Sequence, residues 1–124
     1  MEVQPDLARQ LTSAIAAHGQ WKVQLAEAIE NGATDMDASA VRRDDACAFG
    51  QWLHQQTDKR VTSDGHWETT MGVHAQVHSA AASLITMAKN SKKAEAAAAF
   101  GLGQSFSKLA SQLTREMLAW RDGK

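Results

Sequence analysis

Two histidines four residues apart, His74 and His78, lie in a stretch whose apolar residues recur at intervals of three and four. On a helix that spacing puts both imidazoles on one face, one turn apart. Such a pair can offer two nitrogens to one metal ion, or it can be two partly buried histidines bonded to their neighbours. His18 holds an equivalent inward position on a separate helical stretch. Three inward imidazoles in one small chain are uncommon, because burying an imidazole without a partner costs free energy. His54 and His66 differ. One closes a short helical segment and the other opens a long one, so both read as surface or capping residues.

The single cysteine, Cys47, is expected in the first turn of the short helical segment. There the helix dipole and free amides favour a thiolate. The plain alternative is a buried cysteine acting as a small apolar residue. Together His18, Cys47, His74 and His78 make a mixed nitrogen and sulfur donor set, which zinc accepts in a tetrahedron. Cobalt, nickel or copper can occupy such a set in vitro. Four protein ligands close the site and leave no position for a water nucleophile, which argues against hydrolysis and for a structural or sensing role. Other metal chemistries lack their signatures. There is no His-Glu-x-x-His, since Ala75 follows His74, and the Glu-x-x-His pairs of di-iron bundles are missing. Asp35-Met36-Asp37 lacks the turn glycine and closing glutamate of a calcium loop. The expectation is therefore a non-enzyme. Trp21, Phe49, Trp52 and Trp67 are expected to pack around the metal, Asp44 and Asp45 to cap a helix, and Arg42 and Arg43 to lie on the surface.

The elements that must position these groups are helices. Tyrosine is absent and there is one proline in 124 residues, a composition that favours helix, and alanine is abundant. One helix is expected from about Pro5 to Asn31, with Leu7, Leu11, Ala14, His18, Trp21, Leu25 and Ala28 on one face and Asn31-Gly32 as its stop. A polar connection follows from Ala33 to about Val41. A short helix starting near Asp44 or Asp45 carries Cys47, Phe49, Gly50, Trp52 and Leu53, and a turn-rich stretch runs from Thr57 to Gly65. The next helix begins at Ser63 or Asp64 and ends near Asn90, with Trp67, Met71, His74, His78, Ala81, Ile85 and Ala88 inward. The last runs from about Lys92 to Trp120 on a stripe of Leu102, Phe106, Leu109, Leu113, Met117 and Trp120. Gly101 and Gly103 inside it imply either a close backbone approach or a break between two helices. The expected fold is all-α, an antiparallel four-helix bundle with a short helix carrying the cysteine. Residues 1–124 read as one domain, and the wide apolar stripes make a homodimer plausible.

Composition narrows the function classes. A hydrophobic content of 44% fits a globular chain. The net charge of −1 gives no electrostatic case for binding nucleic acid or an anionic membrane. One cysteine cannot form an internal disulfide. No basic, then apolar, signal peptide opens the chain, and no apolar run is long enough to span a bilayer, so the expected compartment is the cytoplasm.

Three motifs in order, His18-Gly19-Gln20-Trp21, Cys47-Ala48-Phe49-Gly50-Gln51-Trp52-Leu53 and His74-Ala75-Gln76-Val77-His78, resemble the bacterial chemoreceptor zinc-binding domain family. The likeness covers nearly the whole chain, and the middle motif is the specific one. It implies that His18, Cys47, His74 and His78 are the zinc ligands of a four-helix bundle, often a homodimer, that binds zinc very tightly. Members are fused to chemoreceptors, where some use the zinc-bound cysteine as a target of hypochlorous acid, or to diguanylate cyclases, where zinc inhibits cyclic di-GMP synthesis. Some stand alone. This chain shows no GG(D/E)EF-type motif and no long signalling coiled coil, so a free-standing member and an excised sensor both remain open. The expected function is a zinc sensor in chemotaxis or cyclic di-GMP signalling, with redox sensing at Cys47 as a variant. The alternative is a zinc-stapled dimerisation module without a sensing role.

Overall fold

The computed structural model describes residues 5–32, 37–90, 92–101 and 104–123. Seven helices occur among them: α1 (Pro5–Glu30), α2 (Ala38–Arg42), α3 (Ala48–His54), α4 (Lys59–Thr62), α5 (Gly65–Lys89), α6 (Lys93–Phe100) and α7 (Ser105–Arg121). The expected all-α bundle is borne out, with α1, α5 and the α6–α7 pair as its long members. α5 is the central member. Val73, Val77, Ala81, Leu84, Ile85 and Ala88 are buried along it, and so are His74 and His78. α7 lays Phe106, Ala110, Leu113, Met117 and Trp120 against it, and α1 contributes Leu11, Ala14, Leu25 and Ile29. Each large apolar side chain buried this way contributes about 1.5–3 kcal/mol.

Helix ends follow local chemistry. α1 stops at Gly32, whose φ of 77° is left-handed backbone that glycine adopts without a Cβ penalty. Asp64 caps α5 by accepting from the His66 amide at 2.9 Å.

Three expectations need correction. The connection up to Val41 is not wholly irregular, because Asp37 caps the five-residue α2 by accepting from the Ser39 amide. The turn-rich stretch contains α4, capped by Asp58, which buries Val61. The final helix is two, α6 and α7, with Gly101 extended between them and Phe100 stacked on Phe106 at 5.3 Å across the break. Of the two readings of the glycines, the break is the realised one. Leu102 and Gly103 lie outside the described residues, as do Asp35 and Met36. On α1 the deeply buried residue of the last turn is Ile29, with Ala28 partly buried.

Candidate metal centre

His18, Cys47, His74 and His78 converge, each offering one donor atom, and no two of those atoms are more than 4.8 Å apart. His18 comes from the middle of α1, His74 and His78 from successive turns of α5, and Cys47 from the residue that opens α3. Cys47 Sγ lies 3.4 Å from His74 Nε2 and 3.7 Å from His78 Nε2. A tetrahedral zinc with the usual Zn–S and Zn–N lengths sets its sulfur and nitrogen ligands about 3.6 Å apart. The donor set and these two contacts therefore fit the ion.

The imidazoles are aimed by their other nitrogens. His18 Nδ1 is 2.9 Å from the Ala14 carbonyl, one turn back on α1. His78 Nδ1 is 2.8 Å from the Val41 carbonyl at the end of α2. A carbonyl only accepts, so both rings carry their proton on Nδ1 and present the Nε2 lone pair. This is the arrangement that metal-binding histidines use. His74 Nδ1 is buried with no hydrogen-bond partner. Trp21 stacks on His78 at 4.9 Å, and Phe49 meets the edges of His18 and His74 at 5.8 and 5.4 Å. These rings pack against the cluster, and Trp52 continues the wall from Phe49 to Trp120.

Cys47 is the N-cap of α3 rather than a first-turn residue, and its sulfur accepts from the Gly50 amide at 3.3 Å. Burial pushes its thiol pKa up, against the pull of the Gly50, Phe49 and Cys47 amides. The expectation of amides favouring a thiolate holds in sign, but burial outweighs it. Ionisation then depends on a cation arriving at the sulfur. Neither Asp44 nor Asp45 caps the helix. Asp44 pairs with His54 at 3.0 Å and Asp45 with Arg43 at 3.2 Å. His66 is not a simple surface residue either; it reaches across to the Glu116 carboxylate of α7 at 2.7 Å.

Burial, followed by the neighbouring His78, His18 and His54, pushes the His74 pKa down to about 3. Burial also lowers that of His18, opposed by its bond to Ala14. Both rings are thus neutral near pH 7, the form that binds metal. A stability consequence follows for metal-free protein. As pH falls below the ordinary value of 6.5, the unfolded chain takes up protons that folded His74 refuses until about 3. Stability should be full above pH 6.5 and fall steadily through that window. Urea midpoints of zinc-stripped protein at pH 7.5, 6 and 4.5 test this, and a midpoint that does not move would contradict it.

A cavity of about 340 Å³ opens beside the cluster, lined by Ala14, His18, Trp21, Cys47, Phe49 and His78 among others. Its walls are mostly apolar and it reaches the cysteine from the solvent side.

Helices that converge on a half-buried Cys and three His, two of them buried, define a metal-binding helical domain. The chain matches the chemoreceptor zinc-binding domain over residues 18–85, more than half its length, and it belongs to that family. Comparison with curated proteins and with solved structures gave no match. The metal of this family is zinc, and the four side chains gathered here form a possible site for it. The family is a regulatory rather than a catalytic one. No helix among the described residues is long and apolar enough to cross a membrane.

Sequence reasoning named the four converging side chains. It missed the Val41 and Ala14 carbonyls, which as backbone groups leave no residue signal, and it assigned no task to Gly50.

Proposed function

We propose that residues 1–124 form one zinc-responsive regulatory domain, in which His18, Cys47, His74 and His78 hold a single zinc ion. The observation that carries this reading is the convergence of the four donors within 4.8 Å. Four protein ligands leave no open coordination position, which supports regulation over catalysis. The ligands sit on α1, α5 and the start of α3, so occupancy couples to the placement of α3. The domain works in the cytoplasm, as a homodimer, and reports to a chemoreceptor or a diguanylate cyclase, whether fused or separate. The family's occurrence in chemoreceptors supports that class of output.

Cys47 also serves as a redox trigger. The cavity beside it supports access by a small uncharged oxidant. With hypochlorous acid, the thiolate sulfur takes up hydroxyl to become a sulfenic acid and chloride leaves. The sulfur thereby loses its anionic donor pair, and the site loses a ligand.

Elemental analysis of purified protein tests the core claim. One zinc per chain is expected, with weaker retention in Cys47→Ala. No metal in either protein after zinc is supplied would end the reading. Stoichiometric hypochlorous acid should release zinc from the wild type. A Cys47 that resists oxidation while zinc is bound removes the redox part alone. If stripping zinc alters no partner's output but dissolves the dimer, the ion is a structural staple instead.

A further inference from the structure

The described residues leave three fully buried side-chain polar atoms without a hydrogen-bond partner, and two of them are Thr70 Oγ1 and His74 Nδ1. Both residues are wholly inaccessible to solvent. They stand four positions apart on α5, which places them on the same face one turn apart. Long side chains on a helix lean toward its N-terminus, a tendency that directs a ring at residue 74 toward the turn carrying Thr70.

The hydroxyl of Thr70 has not taken the ordinary outlet of a helical hydroxyl. Ser83, Thr86 and Thr114 each donate to the carbonyl four residues back, and Thr70 does not. Nor has His74 the outlet of its fellow histidines. His18 and His78 hand their Nδ1 protons to backbone carbonyls. His74 presents Nε2 to Cys47 at 3.4 Å and has nothing on Nδ1. An imidazole that gives its Nε2 lone pair to a metal carries its proton on Nδ1 and is a donor there. A threonine oxygen one turn away is an acceptor of the right reach.

The two atoms are not bonded to each other as they stand; we propose that Thr70 becomes the positioning residue for His74 when zinc is held, its Oγ1 turning to accept the Nδ1 proton and fixing the ring with Nε2 toward Cys47. The inference rests on the zinc reading and extends it to a residue outside the donor set. Thr70 touches no metal in this scheme; it acts through the ring it orients, as outer hydrogen-bond partners do in other metal sites.

The test uses the full chain with zinc as the probe, in competition with a chromophoric chelator. Thr70→Val keeps the shape and removes the hydroxyl, whereas Thr70→Ser keeps the hydroxyl. Thr70→Val is expected to weaken zinc binding about 10–100-fold, with Thr70→Ser restoring most of it. In zinc-loaded protein the His74 Nδ1 proton should give a slowly exchanging NMR signal in the wild type and in Thr70→Ser, and lose it in Thr70→Val. Affinity within about twofold of wild type in Thr70→Val would overturn the proposal. So would equal losses in both variants matched by equal falls in metal-free melting temperature, since Thr70 would then only fill space. A wild type that binds zinc while Thr70→Val is unaltered defeats this inference alone. A wild type that takes up no zinc defeats the metal reading and this inference with it.

Discussion

Gly50→Ala is expected to cost about 3 kcal/mol of stability, the upper end for overpacking a tight site, and to abolish zinc retention. A Cβ at residue 50 would stand 1.6 Å from the Asp44 carbonyl oxygen, 2.7 Å from its carbon and 3.1 Å from His74 Cε1. Two of the three obstacles are backbone, which cannot rotate away as a long side chain would. The turn from Asp44 to Cys47 must therefore move, and it carries the only sulfur of the site. The Gly50 amide is also the donor to Cys47 Sγ, so a shift in either strand of this corner breaks the bond that orients the sulfur. A control separates this from a general effect of adding a methyl group. Gly72 lies in α5 with nothing within 4 Å of the same construction. Gly72→Ala should stabilise by about 0.5–1 kcal/mol, because alanine loses less backbone entropy in a helix. Urea midpoints and chelator competition on both variants make the comparison. Matching behaviour of the two alanine variants would show that the Asp44–Gly50 contact is not a constraint.

The same corner shows why part of the site was legible in the sequence and part was not. His74 and His78 were readable because four-residue spacing on an apolar stripe has one geometric meaning on a helix. His18 was readable because it interrupts a stripe otherwise made of Leu11, Ala14 and Leu25. Cys47 was readable as a donor but not as the cap of its own helix, because aspartates at 44 and 45 offered the commoner capping chemistry. The structure spends Asp44 on His54 instead. α2 escaped notice because it has five residues and turns only Ala38 and Val41, both partly buried, toward the core, too few positions for hydrophobic periodicity to report. Its contribution is the Val41 carbonyl, and a main-chain oxygen is the same atom in every residue. The break before α7 was half legible. Glycines at 101 and 103 allowed either a close approach or an interruption, and the stacking of Phe100 on Phe106 is the tertiary contact that accompanies the interruption.

Stripping zinc is expected to lower the melting temperature by about 15 °C when the loaded protein is measured with free zinc roughly a thousandfold above its dissociation constant. At that ratio mass action adds about 4 kcal/mol, and each kcal/mol moves the transition of a chain this size by about 4 °C. The loss should be uneven. Leu11, Leu25, Ile85, Leu113 and Met117 are buried where α1, α5 and α7 meet, and none of that apolar area depends on the ion. α3, by contrast, has seven residues, too few to hold a helix unaided. It is fastened by the burial of Phe49 and Leu53, by the Trp67 Nε1–H donating to the Leu53 carbonyl at 3.1 Å, and by Cys47 at the cluster. α2 is fastened through Val41 to His78 and through Arg42 to Ser79 at 3.3 Å. Removing the ion leaves a half-buried thiol among three imidazoles with only weak contacts to one another. Hydrogen exchange should then quicken in α2 and α3 while Val77, Ala81 and Ile85 stay protected, since local opening begins where buried apolar contact is least. Cys47→Ala should reproduce that pattern with zinc present. Uniform loss of protection across α5 and α7 would mean that the ion holds the whole bundle, as a staple does. Loss confined to α2 and α3 would mean that one surface of the domain changes while the rest persists, which is what a partner docked on that surface needs in order to read the metal.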